Sequence, residues 1–162
     1  GEKIARVSAN MAMAADMEVR ASSTATTGAY SSACQRGLPA ILMERGGGGR
    51  FTDSEVQAYK RDVKNIMIRM GLLSGEEVHT VQQKNVTRAE YLEAETDGLW
   101  YPVFSAGDTF AGGAVLGTVR DNWGNLLQEY RADYPGIVLY QTVGLGVKTG
   151  DPLIAYGEYV DR

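Results

Sequence analysis

The segment spanning residues 38–50, LPAILMERGGGGR, constrains the fold more than any other. Pro39 lacks a backbone donor and forbids a helix, so Ala40, Ile41, Leu42 and Met43 read as a short buried strand. The strand ends abruptly in a charged pair, Glu44 and Arg45, followed by four glycines and Arg50. Sites in open α/β sheets lie at the carboxyl ends of strands, which makes Glu44 the leading candidate for a catalytic base. Spacing alone leaves a second reading open, in which Glu44 caps the following helix or pairs with Arg45 or Arg50.

Length and charge bound the rest. With 162 residues the chain has room for one ordinary domain or two small ones. A net charge of −4 argues against a general nucleic-acid surface, which needs a basic stripe to neutralise phosphates. No apolar run approaches the roughly 20 residues of a membrane span, and no basic start leads into a secretory leader. Gly1 opens directly onto helical spacing, as at a cut end. Cys34 is the single cysteine, so no internal disulfide is available and a reducing cytoplasm is expected. It falls on the apolar side of a helical turn over 30–36 and reads as a buried structural thiol. With His79 the one histidine, the chain cannot build a standard zinc site without several carboxylates.

Two regions differ in texture. Residues 1–73 read as α/β. Ile4, Val7, Met11, Ala14 and Ala15 recur at helical spacing, 18–21 suit a short strand, and 22–28 read as a loop. A short helix over 31–36 closes at Gly37. Thr52 and Glu55 form a capping box for the next helix, whose apolar stripe is Val56, Tyr59, Val63, Ile66, Met67 and Met70. Residues 74–88 are polar and read as a linker. Residues 89–162 are rich in strands, with glycines at short intervals.

The second region contains an internal repeat. A shift of about 38 residues brings Ala94 onto Ala132, Gly98 onto Gly136, Gly112 onto Gly150 and Leu116 onto Ile154, read along the chain. Residues 121–125, DNWGN, form the hairpin between the halves. The repeat resembles biotinyl/lipoyl-type domains, the barrel-sandwich hybrids. Those that carry a prosthetic group place a lysine on this hairpin. Asp121, Asn122 and Trp123 stand there instead, so a carrier function does not follow.

The glycine loop has a further reading, since strand, glycines, arginine and helix are loosely P-loop-like. The lysine and hydroxyl residue that close such a loop are absent. As a general base, Glu44 suits the hydrolysis of an amide, with the glycines admitting close approach of a substrate and Arg45 or Arg50 clamping a carboxylate.

The order GLPAILMERGGGGR over 37–50 resembles the late catalytic segment of the succinylglutamate desuccinylase/aspartoacylase family, zinc deacylases of the carboxypeptidase type. The small β-domain after a helix and linker, with Asp97-Gly98, Gly107-Asp108, Leu116-Gly117 and Gly150-Asp151, resembles that family's C-terminal domain. The resemblance implies the C-terminal part of a zinc-carboxypeptidase-like α/β domain over 1–73, a linker over 74–88 and a small barrel-sandwich domain over 89–162. It implies that Glu44 activates a zinc-bound water and passes its proton to the leaving amine, on a small N-acyl amine substrate. The loop 22–30 then borders the substrate pocket, with Tyr30 and Arg50 as substrate contacts. A Tyr30 that packs structurally is the alternative.

The family binds zinc through an early His-x-x-Glu motif and a later histidine, neither of which is present here. The chain is therefore expected to be the second half of such an enzyme, with zinc in the complete protein, none bound by this chain and no turnover alone. Its apolar sheet surface is expected to pair with the missing N-terminal half or a second copy. The competing expectation is a non-catalytic binding or oligomerisation module.

Overall fold

The computed structural model describes residues 1–161. They fall into two compact units, Gly1–Gln83 and Lys84–Asp161.

The first unit contains helices α1 (Glu2–Ala14), α2 (Ala29–Gln35) and α3 (Asp53–Arg69), with a three-residue strand β1 (Val19–Ala21). Helix α2 ends as its sequence requires. Gly37 has φ +86°, its N–H donates to the Cys34 carbonyl, and the Leu38 N–H reaches the Ala33 carbonyl. Helix α3 opens on the capping box. The Glu55 N–H donates to Thr52 Oγ1 at 3.2 Å and the Thr52 N–H to Glu55 Oε2 at 2.6 Å. Its inward face differs from the expected apolar stripe. Val63 and Met70 are exposed, and the fully buried side chains are Asp62 and Asn65. The helix turns a polar pair inward because both find several partners there.

Residues 40–43 were expected to form a strand, and they lie in no ladder. Side chains partner the backbone instead. The Ala40 N–H donates to Ser8 Oγ at 3.1 Å, the Cys34 thiol donates to the Ala40 carbonyl, and Tyr59 bonds the Met43 carbonyl. Exposure still alternates with period two. Ile41, Met43 and Arg45 are half-buried, while Leu42 and Glu44 face out.

The expected linker, 74–88, divides. Residues 77–83 are clasped to the first unit. Asn65 accepts from the Val78 N–H and donates to the Val78 carbonyl, and Gln83 Nε2 donates to the Ala12 carbonyl at the end of α1. Residues from Lys84 onward belong to strand β2 (Lys84–Glu93).

The second unit is all β. After β2 come β3 (Gly98–Pro102), β4 (Thr109–Phe110), β5 (Val115–Arg120), β6 (Leu126–Arg131), β7 (Gly136–Gln141), β8 (Gly146–Val147) and β9 (Pro152–Asp161). They form two antiparallel arrays, ordered β2-β9-β7-β4 and β6-β5-β3-β8. Both contribute to one core, with Trp100, Leu116, Val119 and Tyr130 from the second and Val138, Leu153, Ile154 and Tyr156 from the first. The hairpin over 121–125 forms as expected. The Asp121 carboxylate accepts from the Trp123 and Asn125 N–H groups, both at 2.8 Å, and Gly124 takes φ +86°.

Candidate functional site

Glu44 leaves the segment 40–45 on the side opposite Arg45, with its side chain exposed. Among the described residues it makes no ion pair. Arg45 is committed elsewhere. Its Nε donates to Asp62 Oδ2 at 2.8 Å, Nη2 lies 2.7 Å from the same oxygen, and Nη2 donates to the Asp16 carbonyl at 2.7 Å. The helix-capping role is also filled, by Thr52 and Glu55.

Asp62 and Asp16 form the centre of a buried polar network. The Asp16 N–H donates to Asp62 Oδ1 at 2.7 Å. Asp16 Oδ1 accepts from the Thr80 and Val81 N–H groups, and Oδ2 accepts from the Thr80 hydroxyl and from Arg61 Nε at 2.8 Å. Burial alone would push the Asp16 carboxyl up. The Thr80 and Val81 hydrogen bonds, with Arg61 close by, outweigh it and hold the group below the usual carboxylate range.

The glycine loop is ordered by its own backbone. The Arg50 N–H donates to the Gly47 carbonyl at 3.1 Å, and Gly48 and Gly49 have φ +61° and +69°. Two consecutive positive φ values at the centre of a four-residue turn are what a type I′ turn demands, and glycine adopts them without strain. Gly46 also has a positive φ, and a Cβ there would sit 3.0 Å from Glu55 Oε1. The glycines thus have a structural role, and Arg50 is exposed at the end of the turn. Tyr30 is half-buried and donates its hydroxyl to Ser23 Oγ at 2.7 Å. No hydrogen bond or ion pair among the described residues joins Glu44, Tyr30 and Arg50.

The metal-ligand candidates do not assemble. His79 is exposed and lies 2.9 Å from Glu77 Oε2, and Glu77 also receives both guanidinium donors of Arg69. Cys34 bonds Ala40, and the buried aspartates are saturated by donors. Among the described residues no group of three or more histidine, cysteine or carboxylate side chains is placed to hold a metal ion. These donors do not fit a zinc site.

Reading along the sequence singled out Glu44 and passed over Asp16, Asp62, Asn65, Arg61 and Thr80. One signal was available. Asp62 falls three residues after Tyr59 and four before Ile66, on the apolar stripe of α3, where a carboxylate requires a partner.

The fold matches about half of each of several solved structures. No family model matches the chain. It is 28% identical over 127 residues to an N-alpha-acetyl-L-2,4-diaminobutyric acid deacetylase of Halomonas elongata, an alignment covering 75% of this chain and 37% of that protein. The apo structure of the ectoine utilization protein EutE (DoeB) from Ruegeria pomeroyi superposes with a TM-score of 0.80 and 26% identity, over 94% of this chain and 50% of that one. A succinylglutamate desuccinylase/aspartoacylase from Rhodobacter sphaeroides superposes with a TM-score of 0.81 and 23% identity, over 98% and 50%. The chain resembles the succinylglutamate desuccinylase/aspartoacylase family over a C-terminal portion. It spans about half the length of these structures and little more than a third of the curated relative.

Proposed function

We propose that the chain is the C-terminal part of a cytoplasmic hydrolase that cleaves the amide bond of N-acyl amino acids, with Glu44 as its general base. The observation that carries this reading is the freedom of Glu44. Its carboxylate is exposed at the end of a well-held segment, while Asp62 engages Arg45 and Thr52 and Glu55 cap α3. A carboxylate so placed can take a proton from an attacking water and return it to the departing amine. Zinc is proposed as the cofactor of the complete protein, held by residues outside these 162. Arg50 and Tyr30 are proposed as substrate contacts, Arg50 offering a guanidinium for a carboxylate.

By the same reading, the first unit, Gly1–Gln83, closes a catalytic domain and strands β2 to β9 form a barrel-sandwich domain of two related halves. The strand starts support the duplication, since β7, β8 and β9 begin 37 or 38 residues after β3, β4 and β5. So do reciprocal hydrogen bonds. Gly113 donates to the Ala132 carbonyl and Gly150 to that of Ala94, while Trp100 donates to Leu145 and Val138 to Asp108.

The test is Glu44→Gln in the complete enzyme, assayed on N-acyl amino acids. Loss of a general base is expected to lower turnover about 100- to 10,000-fold with metal content unchanged. Near-normal turnover would remove Glu44 from the mechanism.

A further inference from the structure

The hydroxyl of Tyr59 touches the chain on both sides of Glu44. It donates to the Met43 carbonyl at 3.3 Å and accepts from the Arg45 N–H at 2.7 Å. One oxygen on α3 therefore bridges the two peptide groups that flank the candidate base. The Arg45 side chain supplies a second hold. Its guanidinium is fixed on the Asp62 carboxylate and the Asp16 carbonyl, and lies 5.9 Å from the centre of the Tyr59 ring. Asp62 cannot follow a moving arginine, because its other oxygen is held by the Asp16 N–H.

We propose that Tyr59 and Arg45 are positioning residues that fix the direction in which Glu44 presents its carboxylate. The inference rests on Glu44 being the base. The covalent geometry makes the hold consequential. The turn that begins directly after Arg45 closes on its own backbone, through the Arg50 N–H and the Gly47 carbonyl, so the holds that bear on the peptide groups of Glu44 itself are those of Tyr59 and Arg45. Successive side chains of an extended segment point to opposite faces. Drawing Arg45 inward onto Asp62 therefore turns Glu44 outward. Neutralising Arg45 on Asp62 also keeps the neighbouring cation from capturing the Glu44 carboxylate. A base displaced by about 1 Å loses on the order of 100-fold in rate, so a hold of this kind sets turnover and not ground-state affinity.

The discriminating variant is Tyr59→Phe, which removes one oxygen and keeps the ring. Its kcat is expected to fall about 10- to 100-fold with KM within about two-fold of wild type. Exchange of the Arg45 backbone amide in the full chain is expected to accelerate at least about ten-fold, because its acceptor is gone. Arg45→Lys provides the second arm. A single ammonium cannot hold both the carboxylate and the carbonyl as the planar guanidinium does, so kcat is expected to fall with far-UV circular dichroism preserved. A Tyr59→Phe enzyme with wild-type kcat, alongside an inactive Glu44→Gln enzyme, overturns the positioning role and leaves the base in place. An unchanged Arg45 exchange rate overturns it as well. An active Glu44→Gln enzyme overturns the reading on which it rests.

Discussion

Asp62 meets Arg45 at 2.7 Å with no solvent exposure of the carboxylate, and the arginine it holds is the immediate neighbour of Glu44. The pair links the middle of α3 to the end of the segment 40–45, and Asp16 joins both. Removing one partner of such a pair leaves an uncompensated charge, at a cost of about 3–5 kcal/mol. Asp62→Ala is therefore expected to lower the stability of the first unit by that amount, read from urea unfolding followed by far-UV circular dichroism. The double variant Asp62→Leu/Arg45→Met is expected to recover most of the loss, since apolar side chains of similar volume replace buried pairs well. Equal losses in the single and double variants would show that the cost does not come from leaving Arg45 uncompensated.

Acid is expected to loosen the first unit through Asp16 and Glu77. For Glu77 the leading cause is the hydrogen-bonded ion pair with Arg69, opposed by burial and helped by His79. For Asp16, burial is outweighed by Thr80, Val81 and Arg61. Both carboxyls sit below their ordinary values of 3.8 for aspartate and 4.5 for glutamate. A depressed folded value means that the unfolded chain binds protons first. Their stabilisation is thus complete above the unfolded values and is lost as pH falls through the folded ones. Helical circular dichroism should therefore hold at neutral pH and decline below about pH 4. In Asp16→Asn that decline should shrink, from a lower starting stability.

The parts of this fold that were legible in the sequence are those whose partners lie a few residues apart. Thr52 with Glu55, Gly37 after α2 and the 121–125 hairpin depend on contacts within one turn, and sequence reading located all three. The polar network did not declare itself because its members are distant. Asp16 and Thr80 are separated by 64 positions, and Arg61 and Asp16 by 45. Apolar periodicity placed the stripe of α3 correctly at Tyr59 and Ile66. It could not show that Asp62 and Asn65 turn inward, because that depends on what distant residues bring to them, Asp16 and Arg45 to Asp62 and Val78 to Asn65. The strand expected over 40–43 illustrates the same limit. Its alternation is present, but a ladder requires a neighbouring strand, and here side chains of Ser8, Cys34 and Tyr59 partner the backbone.

Alkali acts on the second unit through Tyr134. Burial pushes its phenol up to about 12, with the carboxylate of Glu90 adding to the shift. Among the described residues its buried hydroxyl has no hydrogen-bond partner, and the Arg88 guanidinium lies 4.3 Å from the ring centre. An acid whose folded value is raised contributes stability that is complete below its unfolded value, near 10, and is lost as pH rises through the folded one. The β unit is therefore expected to lose stability between about pH 10 and 12. Tyr134→Phe should remove much of that loss at little cost near neutrality, because no hydrogen bond is broken. Intrinsic fluorescence of Trp100 during denaturant unfolding reads both effects.

Among the glycines of that unit, Gly117 leaves the least room for a side chain, because it faces Trp100. A Cβ at Gly117 would fall 2.2 Å from Trp100 Cη2 and 2.7 Å from Cζ2. The indole is 2% exposed and stacks edge-on against Tyr130, with ring centres 5.7 Å apart, so it has no free space to enter. Gly117 sits within β5 opposite Tyr130 and Pro102, and the register on both sides opposes a backbone shift. Glycine is required here for closeness, since its φ is not positive. Gly117→Ala is expected to destabilise the unit by about 1–3 kcal/mol through overpacking, and Gly117→Val by more. The control is Gly146→Ala on β8, where nothing lies within 4 Å of the added carbon. If Gly117→Ala unfolds at the same denaturant concentration as Gly146→Ala, close packing of the indole on β5 is not what selects glycine there.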